Sequence, residues 1–308
     1  MTGEVPNSMN VGLTAYFNGD VMPLREAAEA MKAAGLESAG GFYDVERTFG
    51  GALYRLEDHL ARLYRGLEFS GLDPGLTQDE MADLTVDLME KNVPFLGPGQ
   101  DFLVTQVVSV LPSAEASAED DDDSVVGDEP SSNGAVNIAI YCQFLDFSPF
   151  ALSYGYGVRV TTPVTYAVPP AAISKRQQSY PLMSDAEGNI TECQGGNFMF
   201  VKDGRIKLPD RSNVLPGVSM KTVLEMAERI GVAVDEGDYT AGDIYSSDEA
   251  FVSSTRFCMV PVATINGLGI GAEMPGPVTR RLQDAWIEQV GVDFVKQALD
   301  HAAGAGLM

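Results

Sequence analysis

Two histidines, one tryptophan and three cysteines are all that 308 residues contain of those types, and each scarcity removes a class of chemistry. With only His59 and His301, a multi-histidine metal site is excluded, and a histidine-based triad would have to use one of these two. Cys142, Cys193 and Cys258 are odd in number and lack CxxC spacing, which argues against a disulfide scaffold or structural zinc and fits a reduced cytoplasm. No run approaches the roughly 18 apolar residues of a membrane span, and the start, MTGEVPNSMNVGLTAY, has no apolar core of signal-peptide length, so neither export nor insertion is expected. Cations are outnumbered, 20 Lys and Arg against 44 Asp and Glu, and the net charge of −24 disfavours any general affinity for nucleic acid or anionic lipid. An anionic small ligand would need a local cationic site.

What is present reads as mixed α/β, long enough for two domains. Asn18-Gly19 within AYFNGDVMPL is a two-residue hairpin signal, and GFYDVERTF before Gly50-Gly51 suggests another. Leu56, Leu60, Leu63 and Leu67 share a helix face, with Gly71 as its C-terminal cap, and Thr77-Gln78-Asp79-Glu80 is a capping-box pattern opening a second helix. Two β-branched runs, 102–111 and 136–145, flank a polar insertion near 113–134 with eight acidic residues between Glu115 and Glu129, expected to be a solvated loop. The aromatic and Gly-rich 146–157 marks the junction between a small α+β domain, 1–148, and a larger mixed α/β domain, 149–308. In the latter, Lys221–Ile230 reads as a helix with Val223, Leu224, Ala227 and Ile230 on one stripe, and Pro277 opens the last long helix.

Three stretches carry candidate chemistry. Between two hairpins, turned by Glu187-Gly188-Asn189 and Lys202-Asp203-Gly204, lie the carboxylate of Glu192, a Gly-rich bend and Asn197; a plain turn is the competing reading. Leu215-Pro216-Gly217-Val218-Ser219 leads into a helix: free amides and a hydroxyl there suit a phosphate, and ordinary N-capping by Ser219 is the rival. Ser253-Ser254-Thr255 adds hydroxyls at a strand end.

Taken together, YFNGDVMP (16–23), GFYDVERTFGGALYRLEDHLARL (41–63), GNITECQGGNFMFVKDGRI (188–206), NVLPGVSMKTVLEMAERIGV (213–232) and DEAFVSSTRFCMVPVATING (248–267) resemble, in order, the class IV pyridoxal-phosphate aminotransferases, the family of branched-chain and D-amino-acid aminotransferases and aminodeoxychorismate lyase. The resemblance implies the D-amino-acid aminotransferase-like fold, pyridoxal 5'-phosphate in the interdomain cleft, a cytoplasmic homodimer, and ping-pong transfer of an amino group from an amino acid, with branched-chain ones as candidates, to a 2-oxo acid. It implies that Arg47 pairs with the cofactor phosphate and that Gly217, Val218, Ser219 and Thr255 line it. Glu192 matches the carboxylate that keeps the pyridine nitrogen protonated.

The family also uses a lysine that bonds to the cofactor and shuttles the substrate Cα proton. Of seven lysines, Lys175, after VTTPVTYAVPPAAIS, is the match. Glu192 follows it by only 17 residues, where the family has a helix and the start of a strand in a longer interval. Tyr180 accordingly matches two positions, a tyrosine near the cofactor ring and the start of the hairpin strand. Two alternatives stay open: a same-fold lyase of aminodeoxychorismate type, and, because of the short interval, a catalytically impaired or non-enzymatic ligand-binding relative. The aromatic-plus-arginine pattern for a substrate carboxylate is missing from 102–106, leaving Arg256 as a substitute by position alone, and His59 is expected to pack or cap within its helix.

Overall fold

A computed structural model describes residues 12–36, 40–110, 136–162 and 178–306. The acidic insertion and Lys175 lie outside the described residues. The chain divides into two compact units, Met1–Leu145 and Asp146–Met308.

The first unit is built on β1 (Thr14–Phe17), β2 (Asp20–Pro23), α1 (Leu24–Ala33), β3 (Gly40–Phe49), β4 (Ala52–Leu53), α2 (Leu56–Ser70), α3 (Gln78–Asn92), β5 (Phe102–Val110) and β6 (Val136–Phe144). Asn18 and Gly19, at φ 47° and 101°, make the turn between β1 and β2, the positive-φ pair that the strand twist favours. Asn18 also fixes the neighbouring strand, Oδ1 accepting from the Ile138 amide at 2.8 Å. The sheet, ordered β2-β1-β6-β5-β3-β4, is antiparallel throughout. α2 ends where Gly71 turns left-handed at φ 69°, and α3 opens on the reciprocal Thr77–Glu80 capping box. Leu60, Leu63, Leu67, Met81 and Leu88 of these helices bury against Phe102, Val104 and Ile140 of the sheet.

The second unit contains α4 (Ser153–Tyr156), β7 (Val158–Thr161), β8 (Ser179–Ser184), β9 (Ile190–Cys193), β10 (Asn197–Lys202), β11 (Arg205–Pro209), α5 (Val218–Arg229), β12 (Val234–Gly237), α6 (Ala241–Ile244), β13 (Glu249–Ser254), β14 (Cys258–Ile265), β15 (Leu268–Gly269), α7 (Pro277–Val290) and α8 (Phe294–Gly304). Its mixed sheet runs β12-β11-β10-β13-β14-β7-β8-β9, with β15 paired to β14. β9 is at one end of that order, yet only the bend at Gln194-Gly195-Gly196 separates it from β10, and Cys193 and Gly196 bridge across the bend. The sheet thus folds back on itself at the segment that carries Glu192. Gly196 is required there, since a Cβ would lie 2.7 Å from the Ser253 carbonyl oxygen.

Three expectations are corrected. Pro277 does open a long helix, α7, with Val278, Leu282 and Trp286 buried, but it is not the last: α8 follows, burying Phe294, Ala298 and Ala302, a stripe at i, i+4, i+8 made mostly of alanine. α5 begins at Val218, three residues before the expected Lys221, and it buries Val218, Ser219, Met220, Thr222, Val223, Met226 and Ala227, with Leu224 half-buried. Ser219 is therefore not the cap: Gly217 is, and α5 has no side-chain cap.

Candidate active site

On the first unit, Arg47 sits on β3 and is almost fully buried. Its Nε donates to the Thr48 carbonyl at 3.1 Å, its Nη2 lies 3.6 Å from Asp101 Oδ2, and its guanidinium stands 4.2 Å over the Phe49 ring. Asp101 is itself fixed, Oδ1 accepting from Thr48 Oγ1 at 2.7 Å and from the Gly51 amide at 3.1 Å. A cation that this acidic chain would need for a phosphate is thus held in one orientation. On α2 of the same unit, His59 neither caps the helix nor merely packs: its Nδ1 lies 2.7 Å from Asp44 Oδ1, and Arg62 makes a bidentate pair with the same carboxylate, both bonds 2.7 Å. Burial pushes the Asp44 carboxyl up, but the hydrogen bonds from His59 and Arg62 outweigh it and hold it below its ordinary value.

In the second unit, Glu192, Asn197 and the Leu215–Gly217 segment form one hydrogen-bonded cluster. Glu192, half-buried on β9, accepts at Oε2 from Asn197 Nδ2 at 3.2 Å and from the Leu215 amide at 3.0 Å. Asn197 Nδ2 also donates to the Leu215 carbonyl at 2.9 Å. Two residues on, Gly217 caps α5 in extended conformation, and Val218 and Ser219 form the first turn, both buried. First-turn amides of a helix have no acceptor within it, so such an end can receive an anion. β13 runs beside β10 with Ser253 opposite Asn197, so Thr255, half-buried just past the strand, follows the same line of residues. Ser253 Oγ, on a 1% exposed residue, has no hydrogen-bond partner among the described residues.

Tyr180 is placed as a strand residue: it lies in β8, opposite Val160 of β7, with its ring 5.9 Å from Phe257, and burial pushes its hydroxyl up to about 12. Arg256 is exposed in the turn between β13 and β14. The six other lysines are engaged or peripheral. Lys32, Lys91 and Lys221 are exposed on helices, Lys202 donates to Ser246 Oγ, and Lys207 and Lys296 pair with Asp235 and Asp300. What sequence reasoning missed is the Asp44–His59–Arg62 cluster and a fully buried glutamate beside it, Glu46, bonded to Gln106 on β5.

Residues 41–265 match the family described as amino-transferase class IV, and the chain belongs to that family. Over 292 residues it is 26% identical to a Methanocaldococcus jannaschii protein provisionally named a branched-chain-amino-acid aminotransferase, covering 87% of this chain and 93% of that one. It is 25% identical over 292 residues to the D-alanine aminotransferase of Bacillus licheniformis, covering 89% and 95%. Among solved structures, the branched-chain amino acid aminotransferase of Thermobaculum terrenum in its PLP (holo) form superposes with a TM-score of 0.70 at 22% identity, covering 92% of this chain and 96% of that one. The fold is that of the class IV aminotransferases, and the chain is an enzyme of amino-group transfer. Neither the lyase nor the non-enzymatic alternative is favoured by these relatives.

Proposed function

We propose that this chain binds pyridoxal 5'-phosphate and moves an amino group from a branched-chain amino acid to a 2-oxo acid. The observation that carries the reading is the Glu192–Asn197–Leu215 cluster set against the start of α5, which has no side-chain cap. The donor set fits the group: a carboxylate for a pyridine nitrogen, and first-turn amides with the Ser219 and Thr255 hydroxyls for a phosphate. Gly217 leaves room for Asn197 beside the start of α5, because a Cβ on it would reach 2.0 Å from Asn197 Oδ1. Arg47 is the cation we assign to the phosphate, Glu192 the group that holds the ring nitrogen protonated, and Tyr180 a flank of the ring. When bound, pyridoxal phosphate supplies the electron sink that acidifies the substrate Cα–H. The protein's part is to anchor the phosphate, keep a proton at the ring nitrogen and carry the Cα proton on the Lys175 amine.

Branched-chain donors come first on a relative named for them that matches 87% of the chain at 26% identity, and D-alanine is the competing donor, since a D-alanine aminotransferase matches 89% at 25%. A homodimer and a cytoplasmic site belong to the same reading, the latter supported by three cysteines that are all buried and free. Purified protein with pyridoxal phosphate should show the absorbance change of the half-reaction with L-leucine, L-isoleucine or L-valine and not with D-alanine. Borohydride should fix the cofactor to the peptide bearing Lys175, and Lys175→Ala should abolish both signals. Absence of the fixed cofactor in the unaltered protein would overturn the assignment.

A further inference from the structure

Among the described residues, Asn197 is the polar side chain that touches both halves of the candidate site, and neither the family assignment nor the proposed roles give it a task. It opens β10 and is 5% exposed. Its Nδ2 faces two acceptors, the Leu215 carbonyl at 2.9 Å and Glu192 Oε2 at 3.2 Å, which fixes the orientation of the amide, since an oxygen there would meet only oxygens. The Leu215 peptide is consequently gripped on both sides, its N–H by Glu192 at 3.0 Å and its C=O by Asn197. On the other side of the same amide, Oδ1 lies against Gly217, the residue from which α5 starts, so closely that any Cβ would collide. The Gly217 amide in turn donates to the Leu215 carbonyl at 2.7 Å.

We propose that Asn197 is the positioning residue of this site: one side chain fixes the Glu192 carboxylate and the N-terminus of α5 relative to each other. The inference rests on the roles proposed above for Glu192 and the start of α5. A cofactor gripped at its ring nitrogen and at its phosphate needs those two groups at a set separation, and a displacement of a fraction of an ångström at either end costs both binding and rate. Here the separation is not left to the Leu215–Gly217 loop, whose Leu215 side chain is 54% exposed; it is set by an amide packed in the protein interior. Gly217 belongs to the same device, its missing side chain being the space that Asn197 occupies.

The test compares Asn197→Ala, Asn197→Asp, Gly217→Ala, the double variant Asn197→Ala/Gly217→Ala, and Glu192→Gln. Measured quantities are the pyridoxal phosphate dissociation constant, the pH dependence of the bound cofactor's absorbance, and the half-reaction rate. Glu192→Gln should slow the half-reaction and move the absorbance pH profile, leaving affinity within about threefold. Asn197→Ala should do all of this and also weaken affinity by about tenfold or more, the scale of losing a hydrogen bond to a charged group. Asn197→Asp keeps the shape beside Gly217 while removing the donor, so it should behave like Asn197→Ala, and it carries the test if the alanine variant fails to fold. Gly217→Ala should weaken affinity in the unaltered background and add little once Asn197 is Ala, because the colliding group is gone. If both Asn197 variants keep unaltered affinity and pH profile while Glu192→Gln slows the reaction, or if the Asn197 and Gly217 losses simply add, the positioning role is wrong and the site reading stands. If Glu192→Gln itself changes nothing, it is the site reading that fails.

Discussion

Asp44 and Glu46 stand two residues apart on β3, and their carboxyls meet opposite fates. Asp44 receives donors from His59 and Arg62; Glu46, fully buried, receives one, from Gln106 Nε2 at 2.9 Å, and Oε2 has no hydrogen-bond partner among the described residues. Burial, with the nearby Asp44 and Glu57 charges adding to it, outweighs the Gln106 bond and pushes the Glu46 carboxyl up to about 8 from 4.5. Because the folded-state value is raised, the native protein binds the proton more tightly than the unfolded chain. Stability should therefore fall as pH rises from about 4.5 to about 8 and level off above, by an amount on the order of a few kcal/mol. Glu46→Gln, which cannot ionise, should flatten that slope and raise the melting temperature at pH 8. Thermal unfolding of both proteins from pH 5 to 8.5 checks this, and parallel curves would show that Glu46 is ionised in the native state. Asp44 contributes the other limb: its lowered carboxyl stabilises the fold above its ordinary value, and this is lost as pH falls through the folded-state value.

Whether an element could be read in the sequence depended on how local its cause is. The Asn18-Gly19 and Asp203-Gly204 hairpins, the Gly71 stop and the Thr77–Glu80 box are each specified within a few residues, and all four are present. The box is solvent-exposed, with Thr77 Oγ1 accepting from the Glu80 amide at 3.2 Å, so Thr77→Ala should cost about 1 kcal/mol, read as a lowered denaturation midpoint with unchanged slope. Non-local causes were harder to read. α8 hid because its buried face is two alanines and one phenylalanine, and nothing in β3 itself announces that His59 and Arg62 of α2 meet Asp44. Glu192, Gly217 and Ser219 were legible as a motif, but the contact of Asn197 with Leu215 joins residues 18 apart and exists only once the sheet has folded back. Tyr180 shows the limit most directly: two spacings competed, and the parallel pairing of β8 with β7, a tertiary event, places it in the strand. Since Asp44 is what ties α2 to β3, Asp44→Asn should destabilise by roughly 3–5 kcal/mol, the scale for breaking a buried pair, and chemical denaturation would reveal a loss far beyond that of Thr77→Ala.

At the scale of the whole molecule the dominant number is the net charge of −24, a third of which comes from the eight acids between Glu115 and Glu129. That block joins β5 to β6, whose last and first residues, Val110 and Val136, are register partners in an antiparallel pair. A chain that pairs in this way can be closed by a two-residue turn, so the connection is far longer than the sheet requires. Replacing residues 111–135 by Asn-Gly should remove about 2 kcal/mol of loop-closure cost and relieve like-charge repulsion. The shortened protein should thus be at least as stable as the original, most visibly at low salt where repulsion is least screened, with a smaller salt dependence of its melting temperature. Its half-reaction rate with amino acids should be unchanged, because none of the residues assigned to the cofactor lies in the segment. Melting curves at low and high salt, beside the half-reaction rate and the mass in solution, decide the matter. A shortened protein that folds but loses turnover, or changes its oligomeric state, would make the acidic segment a binding element in its own right.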